Sequence, residues 1–442
     1  MKRRRHWILA AIPLLAVAAS GQPLPLSMKA AVDLALEPEG SVRLRLALEA
    51  IRQAESRAGQ ARAALLPQIE TSVTRDNRTV NLEAFGVRFE IPGTEFRTPS
   101  RVGPFSFFDA RASGSQTIFN LSAIRRYQAS RTSAAAARED GDSAREMVAA
   151  QVARAYLAAL RTEARLEAAR ANVLLAERLL ELARNQKTAG TGTGIDVTRA
   201  MVQLASERQL LLVAENECSR AHLELLRAMD LRLDTRFDLT DRLEFHALDD
   251  LAPEQALEKA LAARPDWRAQ RRREKAAEMS HGATKWERLP SLAAFGTYGT
   301  IGPAIDNNFP TRTYGVSLRL PIFDGGRLEY RRMESASQLR QEQIRTADLR
   351  ARIELDIRLA LDALHSAREQ VQVAGEGLQL AQQELEQAQR RFAAGVAPGI
   401  EVTDAQNRVA RARDNQIAAL FNHESARLEL GQAMGAVREM VQ

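Results

Sequence analysis

Asn120 to Ala189 reads NLSAIRRYQASRTSAAAAREDGDSAREMVAAQVARAYLAALRTEARLEAARANVLLAERLLELARNQKTA, seventy residues without a proline and with one glycine, Gly141. As a single α-helix it would extend roughly 105 Å at 1.5 Å per residue, longer than an ordinary globular domain. A second run, Gly326 to Ala394, also lacks proline and matches the first near its C-terminal end at an offset of 205 residues. Small and large apolar residues alternate along a heptad seam in both: Ala169, Val173, Ala176, Leu180, Ala183, and Ala374, Leu378, Ala381, Leu385, Ala388. Alanine at every other seam position lets helix axes approach closely, as a wall of antiparallel helices requires. The match continues through Gly190/Gly395, Gly194/Gly399, Ile195/Ile400, Thr198/Thr403 and Leu225/Leu430, so the chain reads as an internal duplication. The expected division is a first repeat over 21–230, an irregular linker over 231–252 and a second repeat over 253–442.

Composition agrees with long helices: aromatics are 5%, charged residues 27%, and the charges are interspersed along helix faces. The formal charge of +6 owes four of its units to Lys2, Arg3, Arg4 and Arg5. Without them the chain is near balance, which removes the main support for a nucleic-acid partner. Those four residues precede an apolar stretch, Trp7 to Ala19, that ends in small residues, the pattern of a secretory signal peptide over 1–20 cleaved near Ala19 or Ser20. No cysteine stands at its end for lipidation there, and the one cysteine, Cys218, has no partner for an intramolecular disulfide. No other apolar run approaches a membrane-spanning helix, so any crossing must use strands.

Strand character falls between the helical parts. A helical segment from Leu26 to Leu66, broken near Pro38 and Gly40, ends at Leu65-Leu66-Pro67, since proline disfavours helix in the residue before it. Strands are expected at about 68–78 and 105–119, joined by a Gly/Pro-rich loop. A helical segment over 253–287 then stops at Leu289-Pro290, followed by strands at about 291–301 and 312–322. In the last, Tyr314, Val316, Leu318, Leu320 and Ile322 alternate with Thr313, Gly315, Ser317, Arg319 and Pro321, one apolar face and one that suits water. These lengths can cross a bilayer when tilted, and Phe105, Phe107, Phe119, Tyr298, Tyr314 and Phe323 lie towards strand ends, where aromatic girdles sit. Four strands cannot close a barrel, and an open edge in lipid leaves backbone groups unpaired. Two chains would supply eight strands, and three would supply twelve with room for a pore; the long helices favour three.

The order helix, Leu-Leu-Pro, hairpin, Ile118-Phe119-Asn120, long helix, glycine turn, helix, then the same again with Ile322-Phe323-Asp324-Gly325-Gly326, resembles the TolC-like outer-membrane efflux channels over essentially the whole chain after the signal segment. The resemblance implies a mainly α fold with a membrane β-barrel contribution: duplicated antiparallel coiled-coil helices plus a β-hairpin. Three copies would form a twelve-stranded barrel in outer-membrane lipid and a helical tunnel through the periplasm. It implies a passive export duct in a multi-protein efflux or secretion system, with a periplasmic adaptor and an inner-membrane pump as partners. In that family the two helix turns form the periplasmic tip, here around Gly190 and Gly194 and around Gly395 and Gly399, expected to supply positive φ. The family's acidic constriction rings match Glu401 and Asp404, with Asp196 the counterpart of Glu401 in the first repeat. The basic residue and tyrosine that lock the best-known closed tip have no evident match.

Plainer readings stand beside these. Acidic residues just after a helix start also complement the helix dipole. Pro67, Pro290 and Pro321 sit where strands meet helices; they could redirect the chain between barrel and tunnel, or simply terminate elements. Gly190-Thr-Gly-Thr-Gly194 fits neither dinucleotide nor Walker spacing. Cys218 and His222, four apart on a helix, could share a metal, but two ligands make a poor site and none is expected. No nucleophile elbow or H-E-x-x-H occurs, so neither enzymatic activity nor a cofactor is expected. The competing reading is a structural coiled-coil envelope protein without a conduit.

Overall fold

The computed structural model describes residues 24–37, 40–87, 93, 98–247 and 251–441. The signal segment, Pro38 and Pro92 lie outside the described residues. In chain order the elements are β1 (Leu24–Leu26), α1 (Met28–Ala35), α2 (Val42–Ala63), β2 (Gln68–Asn81), β3 (Arg101–Phe119), α3 (Leu121–Thr188), α4 (Gly194–Ala228), β4 (Phe237–Leu239), α5 (Pro253–Ala263), α6 (Pro265–Lys285), β5 (Ser291–Gly302), β6 (Phe309–Arg319), α7 (Arg327–Ala393), α8 (Gly399–Met434) and α9 (Val437–Met440). The two proline-free runs are thus the single helices α3 and α7. Among the described residues no helix is long and apolar enough to cross a membrane.

Backbone contacts divide the described residues into two units, one from within 24–49, 139–268 and 348–441, the other from within 50–138 and 269–347. The first holds three cores. Around Tyr156, which is fully buried, β1 and α1 pack on α3, α4 and Val437 of α9. Tyr156 donates its hydroxyl to the Leu26 carbonyl at 2.8 Å, which fixes β1 on α3. A second core joins α3, α4, α7 and α8. Ala176, Leu180 and Ala183 meet Ala381, Leu385 and Ala388 there, with Val173 and Leu378 beside them, so the heptad seam is the packed face. In the third, α5 lies on α7 and α8 through Ala256, Ala260, Ile353, Ile357 and Leu430.

The stretch 231–252, expected to be irregular, contains β4, which pairs in parallel with β1 through Leu24/Phe237, Pro25/Asp238 and Leu26/Leu239. Three residues bounded by polar loop gave no alternating pattern to read. The segment 253–287 is also two helices and a short 3₁₀ turn rather than one helix. Arg264 is extended, at φ −62° and ψ 120°, because Pro265 excludes the helical conformation from its predecessor, and Pro265 then opens α6.

The second unit is a four-stranded antiparallel sheet of order β2-β3-β5-β6 with the helical segments that flank it in sequence. Those segments are tied by polar contacts: Glu287 holds Arg126 and Arg331, Arg138 reaches Glu55 at 2.6 Å, and Ser335 meets His281 Nδ1 at 2.9 Å. β6 begins earlier than expected and ends at Arg319, which pairs with Ser291, the first residue of β5. Leu320 to Ile322 therefore have no partner strand, and Pro321 has no N–H to offer one. β2 and β3 extend further into their loop, to Asn81 and from Arg101, across a register shift between Arg78 and Val80.

Candidate functional site

The sheet has two chemically opposed faces. Because side chains alternate, the register puts Ile69, Val73, Ala110, Ala294, Val316 and Leu318 on one face, with Tyr298 and Tyr314 and with two arginines, Arg75 and Arg312. Tyr314 is 81% exposed, Val316 62% and Leu318 70%, so the chain alone leaves this face uncovered. The opposite face carries Glu70, Ser72, Thr74, Ser113, Thr313 and Ser317. Towards the β2–β3 loop it gathers charge: Asp76 accepts from Arg78 at 2.8 Å, Arg78 lies 4.3 Å above the Phe107 ring, and Asp109 is paired with Arg111. Such an arrangement offers an apolar surface to lipid and a wettable one to a lumen. Its outer strands, β2 and β6, have one unpaired edge each.

The helix turns are built alike. In the first, Gly190 takes φ +77°; its N–H bonds to the Lys187 carbonyl at 3.1 Å and Thr191 N–H to that of Gln186 at 3.0 Å. In the second, Gly395 takes φ +72°, with Gly395 N–H to Phe392 at 3.0 Å and Val396 N–H to Arg391 at 3.1 Å. Both are Schellman ends, which satisfy the last helical carbonyls and call for glycine at the left-handed position. Gly194 and Gly399, expected to share that role, do not: each is the first residue of a helix, and neither has positive φ. Gly399 matters for another reason, since a Cβ there would sit 3.3 Å from Asp196 Oδ1 and 3.4 Å from the Phe392 ring. Gly192, not singled out in the sequence, is as constrained, with Gln186 Cβ 2.9 Å from where its own would be.

The three candidate constriction carboxylates have different settings. Asp196 closes a capping box at the start of α4, its carboxylate on Thr193 N–H at 3.3 Å while Thr193 Oγ1 accepts from Asp196 N–H. Glu401 lies 3.6 Å from Arg391 on α7, both partly exposed. Asp404 is exposed. Pro67, Pro290 and Pro321 stand in the joints between α2 and β2, before β5, and between β6 and α7.

One cluster was only half visible in the sequence. His222 Nε2 is 3.7 Å from Cys218 Sγ, as helical spacing allows, and 2.9 Å from Glu163 Oε1 on α3. Cys218 is buried, and that burial, followed by the Glu163 charge, pushes its thiol above the ordinary value. Glu163 carries no local spacing signal. What could have found it is the hairpin itself: in antiparallel helices joined near Gly192, residues about equally far from the turn face each other.

Strands with one apolar and one polar face, joined to paired long helices, are the parts that an outer-membrane channel needs. The outer membrane efflux protein family matches residues 38–230 and 256–436, and the chain belongs to it. OpmQ, a pyoverdine export outer membrane protein of Pseudomonas putida, is 25% identical over 404 residues, 89% of this chain and 82% of that one. TtgF, a toluene efflux pump outer membrane protein of Pseudomonas putida, is 27% identical over 396 residues, 85% of this chain and 76% of that one. The crystal structure of the Campylobacter jejuni CmeC outer membrane channel shares the fold at TM-score 0.76 and 18% identity, over 93% of this chain and 86% of that one. The protein is therefore the outer-membrane channel component of an efflux or secretion system, residing in the outer membrane and extending into the periplasm, and it works with partner proteins. The reading as a coiled-coil envelope protein without a conduit finds no support in these likenesses.

Proposed function

We propose that three copies of this chain join edge to edge, β6 of one to β2 of the next, into a twelve-stranded barrel continued by a helical tunnel. The observation that carries this is the open four-stranded sheet with one uncovered apolar face. In hydrocarbon each unpaired backbone group costs several kcal/mol, so both edges must be closed by neighbours, and twelve strands leave a pore where eight would fill with side chains. The polar face, with Asp76, Arg78, Asp109 and Arg111, then lines the lumen. The duct is passive and opens by movement of its tip helices when partners engage. The turns at Gly190, Gly194, Gly395 and Gly399 meet a periplasmic adaptor that couples the duct to an inner-membrane pump, and Glu401, Asp404 and Asp196 ring the constriction. Pro67, Pro290 and Pro321 turn the chain between barrel and tunnel. The halves 21–230 and 253–442, joined through 231–252, are copies of one unit. Relatives named for pyoverdine export and for toluene efflux align with 89% and 85% of this chain, which suggests that the partners set the cargo.

The test is mass in detergent paired with single-channel conductance in planar bilayers. A conducting trimer supports the duct; a monomer or a non-conducting assembly overturns it. In the conducting form, Glu401→Ala with Asp404→Ala should weaken cation selectivity and block by multivalent cations, and unchanged selectivity would remove both residues from the pore.

A further inference from the structure

The donor atoms of Glu163, Cys218 and His222 all lie within 4.8 Å of one another, on two different helices and partly or wholly buried. We propose that they form a binding site for a borderline-soft divalent cation, Zn²⁺ by preference, that ties α3 to α4. Zinc bonds of about 2.3 Å to sulfur, 2.0 Å to nitrogen and 2.1 Å to oxygen, arranged tetrahedrally, separate sulfur from nitrogen by about 3.5 Å and nitrogen from oxygen by about 3.4 Å. The observed separations are 3.7 Å and 2.9 Å, and the sulfur–oxygen pair lies within 4.8 Å, so a cation enters with side-chain adjustments of about an ångström. The fourth position opens to a pocket of about 660 Å³ lined by Cys218, His222, Arg170 and Phe237, which leaves room for a water ligand.

The donor set selects the metal. One thiolate, one imidazole and one carboxylate suit zinc; calcium and magnesium require mostly oxygen, and copper(I) prefers sulfur over carboxylate. On binding, the thiol proton leaves to solvent and the imidazole carries its proton on Nδ1, so that Sγ and Nε2 each present a lone pair. The second half of the chain supplies an internal contrast. At the same offset of 205 residues the three positions are Arg368, His423 and Arg427, so that slot keeps one donor side chain of the three.

The experiment uses the full-length protein in detergent, stripped with a chelator and titrated with Co²⁺, whose thiolate charge-transfer and tetrahedral d–d bands report the ligands directly. Cys218 is the only cysteine, so a thiolate band can come from nowhere else. The expected result is one Co²⁺ per chain, displaced by Zn²⁺, with the charge-transfer band lost in Cys218→Ser. His222→Ala and Glu163→Gln should each weaken binding by about tenfold or more, since even residues outside the coordination sphere commonly cost that much. No band in the unmodified protein overturns the proposal without any variant. A band that survives loss of both His222 and Glu163 also overturns it, as capture by a lone thiol. Neither outcome depends on whether the channel conducts.

Discussion

At one offset the two halves put different chemistry into the same slot. In the first, Glu163, Cys218 and His222 converge, with Phe237 of the β4 strand tilted on the imidazole at 5.0 Å. In the second, His423 is buried under Phe245 at 4.6 Å, with Arg427 and Arg368 acting on it. The neighbouring Glu424 takes the ion pair there, from Arg427 at 3.2 Å, and lies 3.1 Å from His246 Nδ1. The helix ends differ in the same way: Thr193 caps α4 with its side chain, whereas Pro398 stands before α8 and makes no such bond. Duplication has kept what sets helix spacing, namely the alanine seam and the Schellman glycines. It has released the positions that carry polar chemistry.

The sharpest way to break this comparison is at Tyr156, whose counterpart at the same offset is Leu361. Tyr156→Ala removes a fully buried ring and the bond to Leu26, and should cost about 3–5 kcal/mol, read as a large fall in the thermal midpoint. Tyr156→Phe, which keeps the ring, should cost only about 1 kcal/mol. The half-buried Leu361 should be much more tolerant of truncation, and equal losses at both positions would show that the first half has no special anchor. Next come the turns. Gly190→Ala and Gly395→Ala force a Cβ into the left-handed region, at about 1–2 kcal/mol each. Gly194→Ala should be close to neutral, since its Cβ would meet nothing within 4 Å, while Gly399→Ala must displace Asp196 or Phe392. A loss at Gly194 as large as at Gly190 would overturn the distinction.

Those glycines mark how far the sequence could be read. The long helices, the seam and the four strands followed from periodicity and proline placement, because each depends on many residues repeating one pattern. β4 was not legible, since three residues carry no period and its partner β1 lies more than two hundred residues earlier. Gly194 and Gly399 stand in the turns without positive φ; composition marks a turn without saying which residue bears it. Glu163 was missed because only the folding-back of α3 onto α4 brings it to His222, although the distance of each from the turn held that information. Asp196 was legible as a carboxylate complementing a helix dipole; its capping box, and any constriction role, which needs neighbouring chains, were not.

Of the smaller effects, Thr193→Ala should cost about 1 kcal/mol by removing the α4 cap, and Pro398→Ala should not incur a matching cap loss, since Pro398 makes no side-chain cap bond. A comparable loss at Pro398 would mean that the two tip helices start alike after all.

The mildest difference between the halves should appear as a slope with pH. His423 is 1% exposed, and among the described residues neither ring nitrogen has a hydrogen-bond partner; Nδ1 stands 3.5 Å from Glu424 Oε1. Burial holds its pKa below the ordinary 6.5; Glu424 opposes that shift, and Arg427 and Arg368 reinforce it. Above pH 6.5 the imidazole is neutral folded or unfolded, and the group contributes no slope. Below it the unfolded chain takes up a proton that the folded chain refuses, so stability must fall as pH drops from about 6.5 towards the folded value. His423→Leu, which removes the titrating group and both unpaired nitrogens, should flatten thermal stability over that window with little loss at pH 7.5. If the variant keeps the full acid slope, the sensitivity arises elsewhere, and the second half's buried histidine is only a packed side chain, as cysteine is at its counterpart before any metal binds.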